Sequence, residues 1–283
     1  MADLDSTQQP VPACTSIMVA VDPSANAANR VRLAAELADR FSARLIGIGA
    51  ESIVLPLYGP DPTLATKVLK MEEARVKEDL RQAEKIFRRE AGKRNRIEWR
   101  SGIADPTEFA CTNARATDLV IVSRSGPPDG IEHAMNPPAS DLIMGLGRPL
   151  LILPPDTTHV RARNAMVCWK DTSQARRALR DSLPFLRDAE AVFVVGIGDE
   201  VNKTILQDVC VYLSHHGIMG EAHYVPMQDR GTVSDTILEV LQQHDADFLV
   251  AGAYGYSRLR EWAFGGVTGD LLGCTPVPWL TVH

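Results

Sequence analysis

Short uninterrupted apolar runs alternate along this chain with longer stretches in which small or apolar residues recur every three or four positions. Ser16-Ile-Met-Val-Ala-Val21 is the first such run, rich in β-branched residues and stopped by Asp22-Pro23-Ser24, which predicts a buried strand followed by a turn. Ser24 is placed to cap a helix over the Ala-rich stretch to Arg40, in which Ala27, Val31, Ala34 and Ala38 form one small-residue face. Further strands are predicted at Arg44–Gly49, Ile97–Arg100, Asp118–Val122 and Pro149–Leu153, with helices over Leu64–Ala91 and Thr107–Ala116 between them. Apolar strands that alternate with helices imply a parallel sheet covered on both faces.

The segment from Pro154 to Asn164 holds two prolines, two threonines and two arginines and breaks the pattern, after which it begins again. Ala165–Trp169, Ala191–Ile197, Ala222–Val225, Phe248–Ala251 and Pro278–Val282 read as strands. Gln174–Leu186, Val201–His216 and Ser234–His244 read as the helices between them. The two halves align without a gap over their last third. A single offset of 129 pairs Asp118 with Asp247, Ser123 with Gly252, Gly126 with Gly255, Asn136 with Gly265, Asp141 with Asp270 and Pro149 with Pro278. Duplication follows, with one domain over 1–154, a linker at 155–164 and a second domain over 165–283. The expected fold class is α/β: two repeated Rossmann-like domains, each a five-stranded parallel sheet with helices on both faces.

Composition excludes more than it identifies. The 283 residues carry 30 Lys and Arg against 36 Asp and Glu, a net charge of −6, which does not suit non-specific nucleic-acid binding. No apolar run reaches the roughly 20 residues of a membrane helix, and Met1–Pro12 has no signal-peptide core, so the expectation is cytoplasmic. Five scattered cysteines form no CxxC pair. His215, His216, His223 and His244 lack partners at metal-ligand spacing, and Cys111, Cys168 and Cys210 read as buried thiols, so no metal site is assigned. Arg88–Arg96 reads as a solvated helix end. No Ser-His-Asp signature or Walker loop is present, and no catalytic residue is assigned.

The chemistry concentrates in one loop. Gly252-Ala-Tyr-Gly255 follows a strand, and nine residues later Gly265-Gly266-Val267-Thr268 leads into a helix. Glycines there let the backbone approach a ligand, and free N–H groups at a helix start meet phosphate oxygens, with the Thr268 hydroxyl as a further donor. Two ordinary turns around a loop are the alternative reading.

These residues resemble the universal stress protein family, whose domains end in G-x2-G-x9-G-(S/T) followed by a strand, and the resemblance covers nearly the whole chain twice. Ile17-Met-Val-Ala-Val-Asp22-Pro-Ser24 resembles the family's opening strand, and Asp247–Gly255 its fourth strand and loop. The resemblance implies dimer-like pairing through the last strands. It also implies ATP, with Mg2+ as its companion, on the glycine loop and an acidic residue ending the first strand. The departures are specific. Gly266 stands where the family has Ser or Thr, and Lys170 occupies the acidic position with Asp171 beside it. Lys170 then either reaches a phosphate or pairs with Asp171 at the surface. In the first half Asp22 is present, but the loop reads Ser123-Arg-Ser-Gly126 and Asn136-Pro137-Pro138-Ala139, and the two prolines lack N–H donors.

The resulting expectation is a stress-response protein that binds an adenine nucleotide in its second domain through Gly252, Gly255, Gly265, Gly266, Val267, Thr268, Lys170 and Asp171. Its partners would be that nucleotide and the other half of its own chain in a pseudo-dimer, with a homodimer of two chains as a further level. A nucleotide-independent dimeric scaffold and a slow ATPase are the alternatives.

Overall fold

The computed structural model describes residues 14–54, 62–124, 134–227, 231–255 and 266–283. In the first half β1 (Ser16–Ala20), α1 (Ala25–Phe41), β2 (Arg44–Glu51), α2 (Pro62–Ala91) and β3 (Ile97–Ile103) lead to α3 (Pro106–Asn113), β4 (Leu119–Ser123), α4 (Ala139–Gly145) and β5 (Leu150–Leu153). The second half repeats the series as β6 (Asn164–Cys168), α5 (Ser173–Leu186), β7 (Ala191–Ile197), α6 (Lys203–His215) and β8 (Gly220–Val225). It ends with α7 (Val233–Gln243), β9 (Phe248–Ala251), α8 (Val267–Cys274) and β10 (Trp279–Thr281).

The strands form one ten-stranded sheet in the order β3-β2-β1-β4-β5-β10-β9-β6-β7-β8. All pairs within a half are parallel. Among the described residues the single antiparallel pair is β5 with β10, where Trp279 faces Ile152, Leu280 faces Leu151 and Thr281 faces Leu150. This seam buries two apolar strands that would otherwise be open edges. It also brings like faces of the halves together, so each helix layer runs across both. Buried side chains of α1, α2, α5 and α6 make one core, and those of α3, α4, α7 and α8 the other. Phe41 of α1 meets Phe185 of α5 edge-on at 5.1 Å.

The repeated residues do repeated work. Asp118 accepts hydrogen bonds from the N–H groups of Thr15 and Ser16, and Asp247 from those of Arg163 and Asn164, so each aspartate ties the start of its half's first strand. The carbonyls of Pro149 and Pro278 receive the N–H groups of Val120 and Leu249. Ala27, Val31, Ala34 and Ala38 are all buried, as their spacing requires.

Some local expectations change. Ser24 occupies the N-cap position of α1, but its side chain makes no capping bond; its N–H donates to Asp22 Oδ1 instead. The helix expected to run to Ala116 ends at Asn113 and continues as a 3-10 turn over Ala114–Ala116. Asn164, read as the end of the connecting segment, belongs to β6. That segment is held against α1, with Asn29 Nδ2 donating to Thr157 O and Arg32 Nη2 to Thr158 O.

Candidate functional site

In each half the chain leaves the sheet's central strand in one direction and later crosses to its other side, so the first and fourth strands flank a switch point. Ligands of doubly wound folds bind beyond the carboxyl ends of the strands at that point. In the second half this is where β6 and β9 end. The described residues there surround a cavity of about 490 Å³, within the usual range of small-molecule sites.

Local sequence builds the walls. After β6 come Trp169 and Lys170, then Thr172, whose Oγ1 accepts from Ala175 N and starts α5. The end of β9 presses on that first turn. A Cβ on Gly252 would lie 2.5 Å from Ala175 N and 2.6 Å from Gln174 C, both backbone atoms, so only glycine fits. Gly255 packs against the Thr172 methyl group. Between them Tyr254 has φ of 53°, a left-handed conformation that non-glycine residues seldom adopt. The Tyr254 N–H donates to Thr268 Oγ1 at 3.2 Å, tying the loop to α8. That bond uses an oxygen lone pair of Thr268 and leaves its O–H to donate.

Gly266 is the N-cap residue of α8 and supplies no side-chain cap, and Val267 and Thr268 of the first turn line the cavity. The remaining surface is largely apolar, from Val195, Ile197, Ile237, Leu271 and Trp279. Trp169 is buried, and its indole N–H has no hydrogen-bond partner among the described residues. An orphaned donor in the wall of a cavity is a place for a ligand acceptor. Burial pushes the neighbouring Cys168 thiol up to about 12, so the wall carries no thiolate. Lys170 stands at the rim, with Nζ 2.8 Å from Glu200 Oε2, and Asp199 lies beside them.

Of the residues singled out in sequence, Gly252, Gly255, Val267, Thr268 and Lys170 line this cavity. Gly266 opens the helix that delimits it. Gly265 lies outside the described residues. Asp171 is not part of the wall: it pairs with Arg176 at 2.6 Å. Lys170 therefore pairs with Glu200 rather than with Asp171. Trp169 and Tyr254 carried no motif in sequence: Trp169 reads only as the end of a strand, and Tyr254 as a residue between Gly252 and Gly255.

The corresponding place in the first half holds a buried arginine. Ala25 and Ser173 open α1 and α5, 148 positions apart, and at that offset Arg30 corresponds to Ala178. Arg30 is 2% exposed and turns its guanidinium into the switch point. Its Nε donates to Ala20 O at 2.7 Å, Nη1 to Ser123 Oγ at 2.6 Å and Nη2 to Asp22 Oδ2 at 2.5 Å. Burial alone would raise the Asp22 carboxyl, but the Arg30 charge and the bonds from Ser24 and Arg30 outweigh it and hold it below the ordinary range. Asp22 is thus consumed by an internal ion pair. Pro138 is the N-cap residue of α4, where Gly266 caps α8.

Elsewhere, no three His, Cys, Asp or Glu side chains among the described residues come together as a metal site. The described cysteines are free; Cys111 and Cys210 are half-buried, and Cys168 is half-buried as a residue with its thiol enclosed. Among the described residues no helix is long and apolar enough to cross a membrane.

No family model matches the chain, and no curated protein does. Solved structures do. A universal stress protein from Archaeoglobus fulgidus DSM 4304 superposes with a TM-score of 0.68 at 14% identity, over 96% of this chain and 97% of that one. A functionally unknown protein from Pseudomonas aeruginosa PAO1 gives 0.52 at 16% identity, over 96% and 93% of the two chains. At these identities the likeness is one of fold.

Proposed function

The chain has the universal stress protein fold, present twice, and we propose that it binds one adenine nucleotide, in the second half only. One observation carries this reading: a cavity lies at the second switch point, whereas at the first the buried Arg30 guanidinium bonds to Asp22, Ala20 O and Ser123. The apolar walls suit a base and ribose, and the unpaired Trp169 N–H suits an acceptor on the base. The uncapped start of α8, with Gly266, Val267 and Thr268, suits phosphate oxygens. ATP is the nucleotide tested first. Asp199 and Glu200 at the rim oppose a bare polyphosphate, so Lys170 would exchange Glu200 for phosphate, and Mg2+ would lower the remaining repulsion. Binding, with a conformational output to a partner in a stress response, is the proposed role; hydrolysis is not part of it.

The competing reading is a scaffold that binds no nucleotide. It is favoured by the Lys170–Glu200 pair, which already satisfies the cation at the rim. Mass spectrometry of small molecules released from the purified full chain, with titration of Trp169 fluorescence by Mg-ATP, separates the two. One equivalent of adenine nucleotide, or saturable fluorescence change lost on Trp169→Phe, supports the proposal. Neither released nucleotide nor any response leaves the scaffold.

A further inference from the structure

A second cleft lies on the seam between the halves, distinct from both switch points, with a volume of about 610 Å³. The first half contributes the approach to β1 and the starts of β4 and β5, including Arg148. The second contributes the exposed side of α5, with Arg177 and Arg180, and the residues after β10. Three guanidinium groups from two halves thus converge on one concavity. They gather around the half-buried Asp181 without any of them forming an ion pair with it within 4.0 Å among the described residues. The positive charge is in surplus. Asp118, the other carboxylate of the wall, already accepts from Thr15 and Ser16. Arg148 spends one N–H on Arg115 O, Arg177 one on His283 O, and Arg180 makes no hydrogen bond among the described residues. Each guanidinium has five N–H donors, so most of the fork remains for an external acceptor.

The rest of the wall is apolar, from Leu119, Leu183, Pro184, Phe185 and Val282. Burial, and then the Asp118 charge, push the Cys14 thiol up to about 12, so it adds no negative charge. Burial raises the Asp181 carboxyl as well, against the pull of Arg180, Arg148 and Arg177.

We propose that this cleft is a binding site for a small organic anion, with a carboxylate or phosphate head held by Arg148, Arg177 and Arg180 and a compact apolar body against Leu183, Phe185 and Val282. Such a ligand would be gripped by both halves at once. It would also rest on α5, whose first turn walls the nucleotide cavity.

Calorimetric titration of the full chain with phenyl phosphate, benzoate, inorganic phosphate and benzyl alcohol tests this. Phenyl phosphate, benzoate or both should bind one per chain, at least tenfold more tightly than inorganic phosphate, and benzyl alcohol should not bind. Which head binds better decides between a phosphate monoester and a carboxylate. Arg148→Gln and Arg180→Gln should each weaken the aryl anions at least tenfold. Arg180→Lys, which keeps the charge and loses the fork, should give an intermediate loss even if a glutamine variant proves unstable. Val267→Pro and saturating ATP should leave the affinity unchanged, which separates this site from the nucleotide cavity. No binding of either aryl anion at millimolar concentration, affinity indifferent to the arginine variants, or one-for-one displacement by ATP would overturn the proposal.

Discussion

Arg30→Ala probes the buried pair in the first half most sharply. The substitution leaves Asp22 as a carboxylate at 3% exposure and takes the donors away from Ala20 O and Ser123 Oγ. Both partners are almost wholly shielded, with side chains 2% and 4% exposed, so screening by solvent offers little discount. Removing one partner of a buried pair costs about 3–5 kcal/mol, and that is the loss expected in urea unfolding near about pH 7. The pH dependence has a definite sign. In the parent chain Asp22 is held below its ordinary value, so the pair stabilises above the unfolded-state value of about 3.9 and that contribution is lost as pH falls through the lower folded value. In Arg30→Ala the guanidinium is gone and only the Ser24 bonds still oppose burial, so the Asp22 carboxyl should rise and the loss should shrink as pH falls below about 7. Replacing both partners by Asp22→Asn and Arg30→Met should recover most of the stability, since the cost lies in the orphaned charge. A single-variant loss below about 1 kcal/mol at neutral pH, or a loss that grows on acidification, would refute the reasoning.

Three further outcomes follow from packing and charge. Gly252→Val drives a side chain into the backbone of Ala175 and Gln174 and should lower stability by about 1–3 kcal/mol or more, read as a fall in the ligand-free Tm. Cysteines at Leu151 and Leu280, which face each other across the seam, should cross-link within one chain on oxidation; a product formed only between chains would contradict the pairing. His244 stacks on Phe193 at 4.2 Å and lies 4.7 Å from His223, and burial followed by the His223 charge holds it below the ordinary histidine value. The unfolded chain therefore binds more protons, and stability should fall as pH drops through the unfolded-state value of about 6.5; His244→Gln should flatten that slope in urea titrations.

The sheet was legible because its inner strands are continuous apolar runs, buried on both faces and repeated with the same flanking aspartate and proline. The edge strands β3 and β8 were less distinct, being half exposed and mixed in composition. The glycines and Thr268 marked the second half's loop, since close backbone approach and a helix start restrict residue type. Arg30 was not legible. It stands next to the small-residue face of its helix, and nothing local distinguishes a surface arginine from one whose partners, Asp22 and Ser123, lie 8 and 93 residues away. Its counterpart Ala178 reads as one more small residue, yet the difference between the two puts a buried guanidinium at one switch point and none at the other. Lys170 was legible as a departure, but its partner Glu200 sits on a different loop and emerges only with the fold. The inter-half arginines likewise come from segments whose proximity depends on the β5–β10 seam.

The most direct test of nucleotide binding in the second half is calorimetry of Mg-ATP with the parent chain and with Val267→Pro. The substitution removes one N–H at the first position of α8, where proline is tolerated, and Gly266 before it already has φ −85° and ψ 140°, the conformation that a following proline requires. The fold and the ligand-free Tm should therefore be unchanged. One site per chain is expected in the parent protein. Loss of a hydrogen bond to a charged phosphate, worth about 1.5–3 kcal/mol, should weaken it roughly tenfold or more in the variant. Two equivalent sites, no site, or an affinity that Val267→Pro leaves unchanged would contradict binding of the phosphates at this helix start.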